Sequence, residues 1–200
     1  MKQNTSDCIH YSSILPEEKE DFLLNSGKVF ETNFKKSIPD YVLYHRLNDS
    51  TGTFSGGSNL RFSPKQPCDA FLWNGYTNTF YALELKTSKS GNFTYEEINC
   101  EEKQPSKMIH KHQILSLDSL SKYAGTVSGF IFNFRSEDSG IECTYFQEIC
   151  NFLTMVNKIG KKSFNKSDLL KYNPVEIEGR KKIKNWSWNV EKFLNDTKLN

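Results

Sequence analysis

The chain has no long apolar run, no paired-cysteine motif and almost no net charge, and each absence removes a class of protein. No stretch approaches the ~18 consecutive apolar residues of a membrane-spanning helix, and the opening residues MKQNTSDCIHYSS lack the apolar core of a signal peptide. Five cysteines, at positions 8, 68, 100, 143 and 150, are an odd number without a CxxC pair, which argues against a disulfide framework and a zinc site and for a reducing compartment. The expectation is a cytoplasmic protein with no membrane partner. The formal net charge is only +2, from 26 Lys and Arg against 24 Asp and Glu, so a polyanionic partner would have to be met by segregated positive charge. No internal repeat or low-complexity tract is present. What remains, 200 residues of which 36% are hydrophobic and 14% aromatic, is enough for one domain with a sizeable core.

The most informative stretch is CDAFLWNGYTNTFYALELK, residues 68–86. Residues 69–74 and 79–86 are apolar and aromatic, and residues 75–78 between them have turn composition, so the segment reads as a β-hairpin. A symmetric hairpin about that four-residue loop pairs Asn74 with Thr79 and, counting outward, sets Asp69 across from Glu84. Side chains directly opposite lie about 4.5–5.5 Å apart at Cβ, and like charges there repel, so something must compensate them. Strand side chains alternate with period two, which puts Glu84 and Lys86 on one face and turns Leu83 and Leu85 into apolar packing on the other. Two carboxylates and an ammonium converging at a hairpin end suit a hard divalent cation held by oxygen ligands beside a phosphate.

The flanking segments place a helix before the hairpin and another after it. Residues 26–37 predict a helix capped by Ser26, with Phe30 and Phe34 on its apolar face. Glu31 sits at the edge of that face, and on this segment alone it reads first as a solvated acid. Pro39 ends the helix, and residues 40–47 alternate like a strand. Residues 48–66 are rich in Gly, Ser and Thr and carry Phe54, Arg61, Phe62 and Lys65. Two aromatics near two cations fit stacking bases and phosphates, while an ordinary hairpin loop with both Phe on the core fits the residues as well. Residues 87–107 have no clean period and read as a mobile loop whose Glu96, Glu97, Glu101 and Glu102 are solvated. Residues 107–124 predict a helix with Ile109, Leu117, Leu120 and Ala124 as its stripe. Gln113 lies in the middle of that stripe, where a buried amide needs a partner. Strands at 126–134 and 141–147, a helix at 148–159 and a short helix at 168–172 capped by Ser167 complete the pattern. Lys158, Lys161, Lys162 and Lys166 form one basic run; Arg180, Lys181, Lys182 and Lys184, before Trp186 and Trp188, form another. Such runs are commonly solvated surface, and tryptophans beside one of them add a nucleic-acid reading. The whole predicts an α/β (α+β) protein, a mixed β-sheet flanked by helices. It divides into an arm at residues 1–25, a domain at 26–172 with residues 48–66 as a projecting insertion, and a basic C-terminal segment at 173–200.

Asp69, the run Glu84-Leu85-Lys86, the upstream Glu31 and the helix bearing His112-Gln113 together resemble the PD-(D/E)xK nuclease superfamily, with Pro67-Cys68-Asp69 as its first motif. More narrowly, GKVFE at 27–31, CDA at 68–70, LELK at 83–86, KHQI at 111–114, GFIFNF at 129–134 and KKSFNKSDL at 161–169 resemble the RecU-type Holliday junction resolvases, particularly short, phage-like forms. The resemblance spans residues 25–172 and implies a restriction-endonuclease-like core. It also implies a homodimeric endonuclease dependent on Mg²⁺ or Mn²⁺ that acts on four-way DNA junctions. Asp69, Glu84 and the Leu85 carbonyl would then bind metal, and Lys86 would act on the attacking water or the phosphate. Glu31 would act through water or a second ion, and Gln113 would be the helix glutamine near the site. Residues 48–66 would be the stalk that enters the junction centre, giving Phe54, Arg61, Phe62 and Lys65 a role in DNA binding beside Lys161 and Lys162. This stalk is shorter than in longer members, and the arm at 1–25 is acidic where theirs is basic. A nuclease of the same superfamily cutting other branched or duplex DNA, or a non-catalytic junction-binding protein, remains open on the residues.

Overall fold

The computed structural model describes residues 26–47, 65–102, 104–135 and 142–198. Helix α1 (Ser26–Lys35) is followed by strands β1 (Val42–Arg46), β2 (Ala70–Asn74), β3 (Thr79–Ser88) and β4 (Asn92–Thr94). Next come α2 (Lys111–Ser121), β5 (Thr126–Arg135), β6 (Glu142–Glu148), α3 (Ile149–Lys158), β7 (Ser163–Asn165) and α4 (Lys166–Leu169). The chain closes with β8 (Val175–Ile177), β9 (Gly179–Lys181), β10 (Trp186–Trp188) and α5 (Val190–Asp196). A six-stranded sheet in the order β1-β2-β3-β5-β6-β8 organises them. The β3–β5 pairing is parallel and the rest antiparallel, so the sheet is mixed and the architecture is α/β with helices on both faces.

Alternation along the strands builds two cores. Ala82, Phe130, Phe132, Phe134 and Tyr145 face α2 and α3, where they meet Ile114, Leu117, Phe152 and Met155. Tyr81, Leu83, Val127, Ile131 and Phe146 face the opposite side, packed by Phe30 and Phe34 of α1 and by Trp188, Phe193 and Leu194 near the C-terminus. The central strand β5 is buried from Val127 through Phe134, as a strand covered on both faces must be. Gly129 within it allows the closest backbone approach, because a Cβ there would lie 2.3 Å from the Gln147 carbonyl oxygen.

The hairpin register is the one expected from its loop. Asn74 pairs with Thr79, and the ladder runs out to Ala70 opposite Leu83. One residue further, the Asp69 N–H donates to the Leu83 carbonyl at 3.1 Å, which sets Asp69 at the level of Glu84.

Three local expectations are corrected, and the C-terminal segment is seen to pack on the core. Residues 87–107 are not simply a solvated loop: β4 pairs with β7, and Phe93 and Tyr95 are buried in the α2–α3 core. Their alternation spans only three strand residues, too short a period to stand out beside Gly91 and Pro105. Helix α2 begins at Lys111, because Ile109 forms a bridge with Tyr95 and so belongs to extended chain. Its apolar contact with the core comes from Ile114 and Leu117, with the expected Leu120 packed beside them. The short helix α4 is capped by Asn165, whose side chain accepts from the Asp168 N–H at 3.0 Å, and Ser167 lies inside it. Residues 173–198 join the core: Trp188 stacks edge-on against Phe30, and the Tyr81 hydroxyl donates to the Leu194 carbonyl at 3.0 Å. No described helix is long and apolar enough to cross a membrane.

Candidate active site

Period two on β3 and a helix laid across it assemble the site. Glu84 lies on the α2 face and is 1% exposed. Its Oε1 accepts from the Lys86 ammonium at 2.9 Å, the two side chains being neighbours on one strand face. The same oxygen accepts from Gln113 Nε2 on the first turn of α2. The other end of that amide, Oε1, accepts from the His110 N–H at 2.9 Å, so both polar ends of Gln113 are used. A half-buried amide thus fixes a buried carboxylate, which answers the partner question its place in the apolar stripe raised.

Opposite, Asp69 Oδ2 accepts from the Leu85 N–H at 2.8 Å, locking the end of the hairpin where the ladder opens. Burial chiefly, with further push from Asp69 and Glu31 against the pull of Lys86, raises the Glu84 carboxyl to about 7. Glu31 itself is bound by Arg46 at 2.6 Å, and Arg46 pairs across the strands with Ala70. Three carboxylates, from α1, the residue before β2, and β3, therefore lie within one another's field.

The cavity in front of Asp69 and Glu84 encloses about 770 Å³ and is open to solvent; Lys65, Gln66, Cys68, Glu96, Cys100, His110, His112 and Gln113 are among its walls. Burial, reinforced by the neighbouring carboxylates, pushes the Cys68 thiol up to about 12, so it is a neutral wall group. Glu96 closes the N-terminus of α2, accepting from the Lys111 N–H at 2.6 Å, from His110 Nδ1 at 3.2 Å and from the Gln104 N–H at 3.3 Å. Burial alone would raise its carboxyl, but these donors hold it below the ordinary range. A carboxylate at a helix N-terminus meets both orphan N–H groups and the positive end of the dipole.

The donor set fits a hard divalent cation. Among the described residues no group of three His, Cys, Asp or Glu side chains is arranged as a closed metal cage. Mg²⁺ does not require one, since it commonly takes one or two carboxylates and completes its shell with water and substrate phosphate. Asp69, Glu84 and the Leu85 carbonyl are all oxygen donors, and a cation there would favour the charged form of the Glu84 carboxyl, which burial chiefly drives toward its neutral form.

Comparison with known proteins adds a family. The chain is 31% identical over 154 residues to the SPbeta prophage-derived uncharacterized protein YotM of Bacillus subtilis (strain 168), an alignment covering 76% of this chain and 70% of that protein. The chain belongs to the YotM family. No family model matches it. Among solved structures, Hjc of Archaeoglobus fulgidus, a Holliday junction resolvase from an archaeal hyperthermophile, aligns with a TM-score of 0.36 at 14% identity, over 68% of this chain and 83% of that one.

In this YotM-family chain the structure brings Asp69, Glu84, Lys86, Gln113 and Lys65 to one cavity or its edge, with Glu31 behind them. Lys65 reaches His112 Nδ1 at 3.5 Å on the rim. Lys161 and Lys162 are elsewhere, bound to Asp168 at 3.3 Å and Glu97 at 2.8 Å beside a separate cavity at the end of α3. Phe54, Arg61 and Phe62, the arm at 1–25 and nearly all of the insertion at 48–66 lie outside the described residues. Sequence reasoning missed Arg46 and Glu96. Arg46 carried a signal, because the strand at 40–47 needed a pairing partner and β2 was available. Glu96 carried none, since its partners, the His110 ring and the backbone N–H groups of Gln104 and Lys111, meet it only once the chain before α2 is folded.

Proposed function

We propose that this protein is a divalent-metal-dependent endonuclease that hydrolyses phosphodiesters in branched DNA, with the four-way junction as substrate in the manner of the RecU-type resolvases. The observation that carries the reading is the buried Glu84, bridged to Lys86 and Gln113 and level with Asp69, at the wall of a cavity open to solvent. An ionisable group this buried, with its partners aligned, opposes folding when charged, and such arrangements cluster at catalytic sites.

In this reading Asp69, Glu84 and the Leu85 carbonyl hold Mg²⁺ or Mn²⁺, which supplies a lowered pKa for water and positive charge against the phosphate. Lys86 orients the attacking water or stabilises the phosphate as negative charge builds. Gln113 holds Glu84 in one rotamer, and Glu31, in its pair with Arg46, sets the field behind the carboxylates. Lys65 on the rim contacts a phosphate. Phe54, Arg61 and Phe62 reach the junction centre, and Lys161 and Lys162 exchange their carboxylate partners for DNA at the periphery. A two-fold dimer presents two equivalent sites, as a junction cut on two strands requires. The products are a 5′-phosphate and a 3′-hydroxyl, formed in the cytoplasm.

The test compares a labelled four-way junction with linear duplex and single strand of the same sequence, in Mg²⁺, Mn²⁺ and EDTA. Symmetric paired cuts confined to the junction and absent in EDTA support the proposal. Equal cutting of duplex replaces it with a nuclease of other specificity. Tight junction binding without cleavage in either metal leaves a binding protein.

A further inference from the structure

Strands β9 and β10 form a two-stranded ribbon outside the main sheet, with the Lys182 N–H donating to the Asn185 carbonyl at 2.7 Å to close its turn. Every residue from Gly179 to Asn185 is exposed, and Ile183 at the tip is 99% exposed. Arg180, Lys181, Lys182 and Lys184 surround it with no acid among them. None of these four forms a salt bridge with a described residue, in contrast to Lys161, Lys162, Lys171 and Lys192, which are all bound to carboxylates. Four cations within five residues, none in a salt bridge with a described residue, make this turn a concentrated patch of positive charge.

The stem is packed where the tip is bare. Trp188 is buried, its Nε1 donating to Thr144 Oγ1 at 2.9 Å, and both Trp186 and Trp188 lie against Gly179 so closely that a Cβ there would meet them at 3.3 and 3.1 Å. The tryptophans are thus occupied in holding the ribbon. Thr144 in turn accepts from Asn133 Nδ2 at 3.0 Å, and Asn133 Oδ1 accepts from Thr87 at 2.8 Å. Three hydrogen bonds across the sheet connect the ribbon stem to the residue that follows Lys86. From Gly179 to the tip the ribbon reaches roughly 13 Å, at about 3.3 Å per residue.

We infer that this ribbon is a second DNA-binding element, which lays its cations on phosphates and inserts Ile183 as a wedge at a base step in an arm of the substrate. It rests on the proposed nuclease reading for the identity of the polyanion. A two-stranded ribbon fits a DNA groove, and apolar side chains that wedge between base steps characteristically stand among cations. A single exposed isoleucine is ordinary on a protein surface; at the apex of a ribbon, beside four cations that form no salt bridge with a described residue, it is placed for contact.

The experiment uses the full chain in a Lys86→Ala background without divalent metal, so that binding is read apart from cleavage. Anisotropy of a labelled junction between 50 and 300 mM salt is compared for that parent, a combined Arg180→Gln, Lys181→Gln, Lys182→Gln, Lys184→Gln variant, and Ile183→Ser. The charge variant is expected to lower the slope of log affinity against log salt by about three to four, near 0.9 for each phosphate the protein no longer neutralises. Ile183→Ser is expected to keep the slope, weaken affinity roughly tenfold and abolish the fluorescence rise of 2-aminopurine placed in a junction arm. All substituted side chains are exposed, so the thermal midpoint should not move, and a variant matching the parent in both midpoint and slope overturns the inference. Unchanged 2-aminopurine and affinity in Ile183→Ser overturn the wedge. Loss of binding to phosphatidylserine vesicles with DNA binding intact assigns the ribbon to a membrane surface and overturns it too. If the unmutated chain cuts junctions while the ribbon variants bind like the parent, the ribbon fails and the nuclease stands. Ribbon-dependent binding with no cleavage in any metal supports the ribbon and removes the nuclease.

Discussion

Replacing Glu84 by Gln should make the metal-free protein more stable at alkaline pH while destroying its activity. The ordinary carboxyl value of 4.5 is raised to about 7 in the folded chain, chiefly by burial. A carboxyl raised on folding costs nothing below its unfolded value, opposes folding increasingly as pH climbs between the two, and imposes its full cost above the folded value. The interval from 4.5 to about 7 is worth about 3 kcal/mol at 1.36 kcal/mol per pH unit. Glutamine is never charged, and its amide oxygen can still accept from Lys86 and Gln113. Urea unfolding in EDTA should therefore give parent and Glu84→Gln similar stabilities near pH 4.5, with the variant ahead by about 2–3 kcal/mol at pH 8. Adding Mg²⁺ at pH 8 should raise the parent and leave the variant unmoved, since the cation offsets the same charge. The difference between the two proteins cancels the opposite pH trends of Glu96 and Asp168, whose carboxyls are held low by their hydrogen bonds. A variant less stable than the parent at pH 8, or a difference that does not change with pH, would refute the argument that Glu84 is a buried, electrostatically costly group.

Gln113→Leu strips the Glu84 contact and orphans the His110 N–H, and should cost about 1–3 kcal/mol in urea unfolding together with most of the cleavage rate. Glu96→Ala removes the acceptor at the start of α2; the loss, about 1–2 kcal/mol, should be full at pH 7 and vanish as pH falls through the depressed carboxyl value, a trend readable from denaturation midpoints. Gly129→Ala forces a methyl to 2.3 Å from a backbone oxygen of β6, so a loss of about 3 kcal/mol or more, or failure to accumulate as soluble protein, is expected on expression and thermal melting. Trp188→Ala should cost about 3–5 kcal/mol by the same melts, because Trp188 is buried against Phe30.

The site was readable because its information is local. A four-residue turn of recognisable composition fixes the register of residues 69–86, and period two then decides which side chains accompany Glu84. Gln113 was legible as a problem, a polar residue in an apolar stripe, although its solution lay 29 residues away. The misreadings share the opposite property. Strand β4 is three residues long and pairs with β7 about 70 residues later, so neither segment carries enough period to announce it. The start of α2 depends on whether Ile109 pairs with Tyr95, a tertiary matter, and Ser167 lost the cap to Asn165 because β7 delivers Asn165 in extended conformation. The tryptophans beside the basic run added a nucleic-acid reading, yet Trp188 is a core residue, since nothing in sequence distance says that residue 188 meets residue 30.

The central claim is that Asp69, Glu84 and Lys86 form a phosphodiester-hydrolysing centre. The most direct measurement is single-turnover cleavage of a labelled four-way junction in Mg²⁺ by the parent beside Lys86→Ala, with junction affinity measured in parallel. Cleavage by the parent, and its loss by a factor of about 10³ or more in Lys86→Ala with affinity retained, is the predicted result, as expected for removal of a group that meets charge developing in the transition state. Equal cleavage by both proteins, or none by the parent at any Mg²⁺ concentration, would contradict it.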